Sequence, residues 1–108
     1  MGTTFKENVA DIRNSKVADV VKTLKSYHLN VFVHDPYADT HEVQEEYGYS
    51  LIPTIEDHYD VVLITVPHEE YSSYDDSYFA SITTPTAMIA DLKGTYRNKI
   101  TSRKYWSL

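Results

Sequence analysis

Two cations seven residues apart open this chain. Lys6 and Arg13 lie within Gly2-Thr-Thr-Phe-Lys-Glu-Asn-Val-Ala-Asp-Ile-Arg-Asn-Ser15. Asn14 or Ser15 can cap a helix by accepting a bond from a free backbone N–H. Val17, Val20, Val21 and Leu24 follow at i, i+3, i+4, i+7, the spacing of one buried helical face. A short loop with two cations therefore leads into a helix N-terminus, a ready site for a phosphate or carboxylate. Lys6, at the carboxyl end of the first strand, is the leading candidate to face a bound anion. Arg13 has two readings, a fork for phosphate oxygens or an ion pair with Asp11.

Other chemistries find less support. There is no cysteine, which removes disulfides, thiolate metal sites and a thiol nucleophile. The histidines at 28, 34, 41, 58 and 68 have no i, i+4 pairing, so no metal centre is expected. The acidic pairs Glu45-Glu46, Glu69-Glu70 and Asp75-Asp76 are adjacent and point apart, which makes them solvated faces rather than proton-sharing dyads. Asp35 sits where a dinucleotide-binding fold places its ribose-binding acid. Gly2, however, is the only glycine of the first loop, so the full G-x-G-x-x-G fingerprint is missing and Asp35 reads as a strand-end acid. No residue is assigned a catalytic role.

The elements that must position these residues alternate along the chain. A strand remnant ends near Phe5, and a helix spans about Ser15 to Tyr27. Leu29 to His34 is a strand, and Thr40 to Glu46 is a short helix capped at Asp39 or Thr40 and stopped by Gly48. Leu51 to Ile55 is an edge segment interrupted by Pro53. Asp60-Val-Val-Leu-Ile-Thr-Val66 is the best strand, a β-branched run suited to burial on both faces. Residues 69–82 read as a loop and then a helix, and Thr86 to Asp91 as the last clear strand. The tail from Thr95 has no readable period. The alternation predicts an α/β fold, a Rossmann-like three-layer parallel sheet with helices on both faces and a truncated first strand. Ligands of such sheets bind outside the carboxyl ends at the point where strand order reverses. Lys6, Pro67-His68 and Lys93 fall there.

The opening stretch resembles the G-x-T/A-F-K-x-N/D-x-x-D-x-R-x-S signature of the C-terminal domain of the UDP-glucose/GDP-mannose dehydrogenase family, matched by Gly2, Thr4, Phe5, Lys6, Asn8, Asp11, Arg13 and Ser15. Val31-Phe-Val-His-Asp-Pro36, Tyr47-Gly48, Asp60–Val66 with His68 and Tyr71, and Asp91-Leu-Lys-Gly94 fit as well. The closing Lys104-Tyr-Trp-Ser-Leu108 is similar to the branch acting on UDP-N-acetylhexosamines. The resemblance implies that residues 1–108 are the UDP-sugar-binding domain of an NAD-dependent nucleotide-sugar 6-dehydrogenase. The NAD-binding domain and the cysteine-bearing middle are absent. It implies that Phe5 and Lys6 contact the nucleotide sugar, and that Lys93 or Arg97 adds a second cation on UDP. Arg13 would reach the NAD pyrophosphate held by the missing domain. Without the cysteine the chain alone is not expected to catalyse.

Composition bounds the rest. At 108 residues this is one domain. No apolar run approaches the ~18 residues of a membrane span, and no signal peptide opens the chain, so a cytoplasmic protein is expected. All ten Lys and Arg lie in residues 1–25 and 93–108, while residues 26–92 hold thirteen of the sixteen carboxylates. Either the middle is plain solvated acidic surface, or the two basic ends meet in one cationic face; the expected topology, which brings Lys6 and Lys93 to one edge, favours the second. The net charge of −6 disfavours nucleic acid. The competing readings are a stand-alone nucleotide-binding module and a self-association module, a homo-oligomer formed through surface that a neighbouring domain would otherwise cover.

Overall fold

The computed structural model describes residues 1–108. Its elements are helix α1 (Val17–Ser26), helix α2 (Thr40–Tyr47), strand β1 (Tyr59–Ile64), a 3₁₀ turn (Glu69–Tyr71), helix α3 (Asp76–Ile82), strand β2 (Thr83–Asp91) and strand β3 (Lys104–Ser107). The three strands are parallel in the order β1-β2-β3.

The sheet continues past β1 through shorter pieces. The Met1 amine donates to the Leu63 carbonyl at 2.6 Å, and the Thr65 amide donates to the Met1 carbonyl at 3.0 Å. On its other side, the Gly2 amide donates to the His34 carbonyl at 2.8 Å. Val33 in turn bridges Leu51 in parallel. The spatial order is therefore Leu51, Val33, Met1–Gly2, β1, β2, β3. The first segment is central and the chain steps outward on one side, then the other, which is the doubly wound arrangement. The truncated first strand is two residues of pairing. The 29–34 strand shrinks to one bridge with its flanking bonds.

Local chemistry sets the helix ends. Asp39 caps α2 by accepting from the His41 and Glu42 amides, and Gly48 closes it in the left-handed conformation at φ 80°. At α1, Ser15 Oγ accepts from the Val17 amide at 3.3 Å and donates to the Thr3 carbonyl at 2.7 Å, tying the helix start to the strand remnant.

Two separate cores flank the sheet. Ile12, Ala18, Val21, Val33, Val43 and Tyr49 form one, under α1 and α2. Val62, Ile64, Phe79, Ile82, Ile89 and Tyr96 form the other, under α3. Neighbouring residues of a strand point to opposite faces. Val33 belongs to the first core, while the next residue, His34, bonds Tyr71 Oη at 2.9 Å beside α3. The helices therefore lie on both faces, with α1 and α2 on one and α3 on the other.

One expectation is overturned. β1 is not buried on both faces: Val62 and Ile64 are buried, but Val61 is 57% exposed. α1 and α2 sit over the other half of the sheet, and residues 92–103 form turns rather than a covering helix. Val61 and its ladder partner Met88 thus share an uncovered face, and Trp106 of β3, paired with Ala90, is exposed on it as well.

Candidate functional site at the sheet's reversal point

The strand order reverses between Met1–Gly2 and its two neighbours, and the loop from Thr3 to Ser15 leaves the sheet there. Gly2 makes the approach to β1 feasible. Its φ is +93°, and a Cβ would come within 2.5 Å of Val66 Cβ and 2.6 Å of the Val66 carbonyl oxygen.

Nearly every turn of this loop is fastened to the domain. Asp35 Oδ2 accepts the Thr3 and Thr4 amides at 2.7 and 3.1 Å and lies 2.8 Å from His68 Nε2. Asp35 Oδ1 accepts the Tyr37 and Ala38 amides at 2.8 and 3.1 Å. His68 Nδ1 accepts the Asn8 amide at 2.9 Å, and Asn8 Oδ1 accepts the Glu69 amide at 2.7 Å. The Phe5 amide donates to the Asp11 carbonyl at 2.7 Å, closing the loop on itself. Tyr47 Oη donates to the Ile12 carbonyl, and Thr3 Oγ1 meets Tyr49 Oη at 2.5 Å.

The electrostatics follow from this packing. Burial alone would raise the Asp35 carboxyl, but the bonds from His68, Thr3 and Tyr37 outweigh it and hold the group down at about 2. The Met1 amine, buried against Leu63, is lowered to about 6 by desolvation, with Asp35 pulling the other way. Burial pushes the Tyr71 phenol far above its ordinary range, so it stays a neutral hydrogen-bonding ring.

Against this fixed frame the side chains of Phe5, Lys6 and Lys93 stand free. Phe5 is 56% exposed, and Lys6 is exposed beside it. Lys93 is exposed just past the carboxyl end of β2. Because the strands are parallel, Lys6, His68 and Lys93 share one edge of the sheet. Arg13 takes its ion-pair reading in this structure, with Nε 3.0 Å from Asp11 Oδ1, both groups facing solvent. Arg97 lies over Gly94 and donates to Ser107 Oγ and the Leu108 carbonyl at 3.0 and 2.9 Å.

The two basic ends of the sequence do not meet as a single face. Arg103 donates to the Ala80 carbonyl and to Thr83 Oγ1, at the start of β2 and the end of α3. Because β3 runs parallel to β2, its leading basic residues fall away from the edge that carries Lys6 and Lys93. A cation at the last carbonyls of a helix is favourable, and that is where Arg103 goes.

Asp35 is not a free strand-end acid. All its accepting capacity toward the loop is used inside the protein, so it has no carboxylate to offer a ribose. Sequence reasoning put His68 at the carboxyl end of the best strand and within the family resemblance, but assigned it no role in holding the loop. No group of three His, Asp or Glu side chains lies close enough together to hold a metal ion.

A doubly wound sheet with a pinned loop at its reversal point defines an α/β domain of the Rossmann-like kind. Residues 1–98 match the model of the UDP-glucose/GDP-mannose dehydrogenase family, UDP binding domain, and the chain belongs to that family. Protein CapL of Staphylococcus aureus is 38% identical over all of this chain and 26% of its own length. The UDP-N-acetyl-D-glucosamine 6-dehydrogenase of Salmonella typhi is 38% identical over 86% of this chain and 22% of its own length. The native structure of the UDP-N-acetyl-mannosamine dehydrogenase Cap5O from Staphylococcus aureus has the same fold, with a TM-score of 0.71 over 99% of this chain and 24% of that one, at 24% identity. The chain thus spans about a quarter of the length of the relatives it matches.

Proposed function

We propose that residues 1–108 are the C-terminal UDP-sugar-binding domain of an NAD-dependent nucleotide-sugar 6-dehydrogenase, which oxidises the sugar C6 alcohol to a uronic acid for polysaccharide precursor synthesis. The observation that carries this reading is the pinned Thr3–Ser15 loop, whose backbone is fixed while Phe5 and Lys6 face outward at the carboxyl edge. Lys6 pairs with the anionic end of the ligand, and Phe5 offers it an apolar face. Lys93 supplies a second cation across the reversal point, with Arg97 behind it at the edge. A UDP-N-acetylhexosamine is the favoured ligand, since relatives at 38% and 34% identity are named for UDP-N-acetyl-D-glucosamine.

The residues present do not build an NAD site of their own. Gly2 is the only glycine of the loop, and Asp35 is spent on internal bonds. NAD would be held by a neighbouring domain, and bound there it would accept the hydride. Arg13, exposed and tied only to Asp11, is placed to exchange that partner for a pyrophosphate. The chain has no cysteine to hold an aldehyde-level intermediate, so it would bind but not turn over substrate alone. No helix is long and apolar enough to cross a membrane, and a cytoplasmic setting suits the proposed chemistry.

A second reading, a self-association module, is favoured by the uncovered face of Val61, Met88 and Trp106. Calorimetric titration of UDP and a UDP-N-acetylhexosamine into the protein separates the two. Saturable binding that Lys6→Ala weakens supports the first reading. A folded, associating protein that binds neither ligand supports the second.

A further inference from the structure

We propose that His68 is the positioning residue of the ligand loop, a single neutral imidazole that latches Asn8 to Asp35 and loosens the loop at Asn8 when it takes a second proton. The identity of the loop's ligand rests on the UDP reading above; the latch itself does not.

The hydrogen-bond roles have one consistent assignment. The Asn8 backbone N–H can only donate, so His68 Nδ1, 2.9 Å away, must accept with its lone pair. The ring proton is then on Nε2, aimed at Asp35 Oδ2 at 2.8 Å, with Thr4 Oγ1 at 3.1 Å. The Thr4 hydroxyl has its own proton directed to the Lys6 carbonyl at 2.9 Å, so it receives at His68 rather than donating. The side chain is wholly buried. One ring therefore joins the exit of the Val33 segment, the exit of β1 and the middle of the loop.

A second proton would divide these contacts unequally. Protonated Nδ1 would face the Asn8 N–H donor to donor, and that bond would be lost. The Nε2 contact to the Asp35 carboxylate would become an ion pair and strengthen. The ring would stay on Asp35, and Asn8 would be held only by the bond from the Glu69 amide to its side-chain oxygen. Asp35 is the anion paired with the ring. The other groups around it are the Tyr37 ring at 4.7 Å, the Tyr71 ring at 5.9 Å, and His34 held on Tyr71 Oη. The Met1 amine lies one strand away, and Glu69 and Glu70 follow His68 in sequence, with Glu70 occupied by Tyr37 Oη at 2.8 Å.

The latch bears directly on Lys6. Between the Asp35 anchor at Thr3 and Thr4 and the His68 anchor at Asn8 lie only Phe5, Lys6 and Glu7. Losing the Asn8 N–H bond loosens the far end of this segment, which keeps the Glu69 bond to the Asn8 side chain and the Phe5 bond to Asp11, so binding should be weaker when His68 is charged.

The test uses the 108-residue protein and two variants that cannot titrate at this position. His68→Asn keeps an oxygen acceptor near the Nδ1 position. His68→Gln keeps a donor toward Asp35 and loses the acceptor at the Nδ1 position. Asn8 amide exchange, corrected for its intrinsic rate, and calorimetric UDP affinity are measured between about pH 8 and pH 5.5. In the wild type, Asn8 protection and UDP affinity should each fall about tenfold on acidification, the scale of one hydrogen bond. His68→Asn should show no loss of protection and only the ligand's own phosphate titration. His68→Gln should leave Asn8 unprotected at both ends of the range.

The proposal is overturned if Asn8 is equally protected in the wild type and His68→Gln. It is also overturned if the His68→Asn profile follows that of the wild type. Should both variants fail to fold, the Asn8 profile of the wild type decides alone: protection that does not change with pH ends the proposal. Asn8 protection that responds as described, in a protein that binds no UDP, supports the latch and removes the UDP reading.

Discussion

His68 Nε2 stands 2.8 Å from Asp35 Oδ2, both side chains are closed to solvent, and each holds a different part of the same loop. Asp35 takes the amides of Thr3 and Thr4, and His68 takes that of Asn8. The pair is a crosslink between the two strand exits that border the central segment. Its removal is expected to reach the ligand edge before it reaches either core.

Asp35→Asn should destabilise the domain by about 2–4 kcal/mol, because an amide cannot accept at every position where Asp35 now accepts. The same carboxylate predicts acid sensitivity. Its folded value of about 2 lies below the ordinary ~3.9 of an unfolded aspartate. The stabilisation, on the order of 2 kcal/mol, is complete above the unfolded value and is lost as pH falls toward the folded one. Urea melts from pH 6 downward should lose stability in the wild type and show a flatter profile in Asp35→Asn.

Gly2→Ala should cost about 2 kcal/mol or more, since the new methyl meets Val66 at 2.5 Å in a backbone conformation that alanine resists. Thermal unfolding by circular dichroism reads this directly. A melting point within a degree of wild type would contradict the close approach.

Lys6→Ala should leave the melting curve unchanged, because the side chain is exposed and makes no bond within the chain. UDP binding should weaken by about 1–2 kcal/mol, as expected for one charge-assisted contact. Arg97→Ala should behave differently. It gives up bonds to Ser107 and Leu108, so β3 amides should exchange faster whether or not ligand is present.

Met88→Lys together with Trp106→Gln should leave stability within about 0.5 kcal/mol, as substitutions on an exposed face do. Sedimentation velocity should show less concentration-dependent association than for the wild type. Equal sedimentation of the two proteins would argue against this face as a self-association surface.

Much of this architecture was readable in the residues, for reasons that differ by element. α2 announced both its ends, because Asp39 and Gly48 act through their own side chain or lack of one. β1 announced itself by its β-branched run, yet its two-sided burial did not follow, because burial depends on which helices exist elsewhere. β3 was illegible: four residues paired only at an edge carry no period. Among the candidate site residues, Phe5 and Lys6 were singled out by a specific motif. The Asp35–His68 crosslink was not, since it joins residues 33 positions apart through side chains that each look ordinary alone. The expectation of one cationic face failed on strand direction, which charge counting along a sequence does not contain.

The two cores have a consequence for how the domain comes apart. One is drawn from residues 12 to 49 and the other from residues 62 to 96, so each is nearly contiguous in the chain. Between them runs a central segment of only Met1 and Gly2, pinned to each side by a few backbone bonds. Opening is expected to begin where the two cores meet. Hydrogen exchange should resolve the domain into two cooperative units with the ligand loop at their junction. A ligand bound there would behave as a clasp, raising the free energy of separating the halves more than that of melting either one.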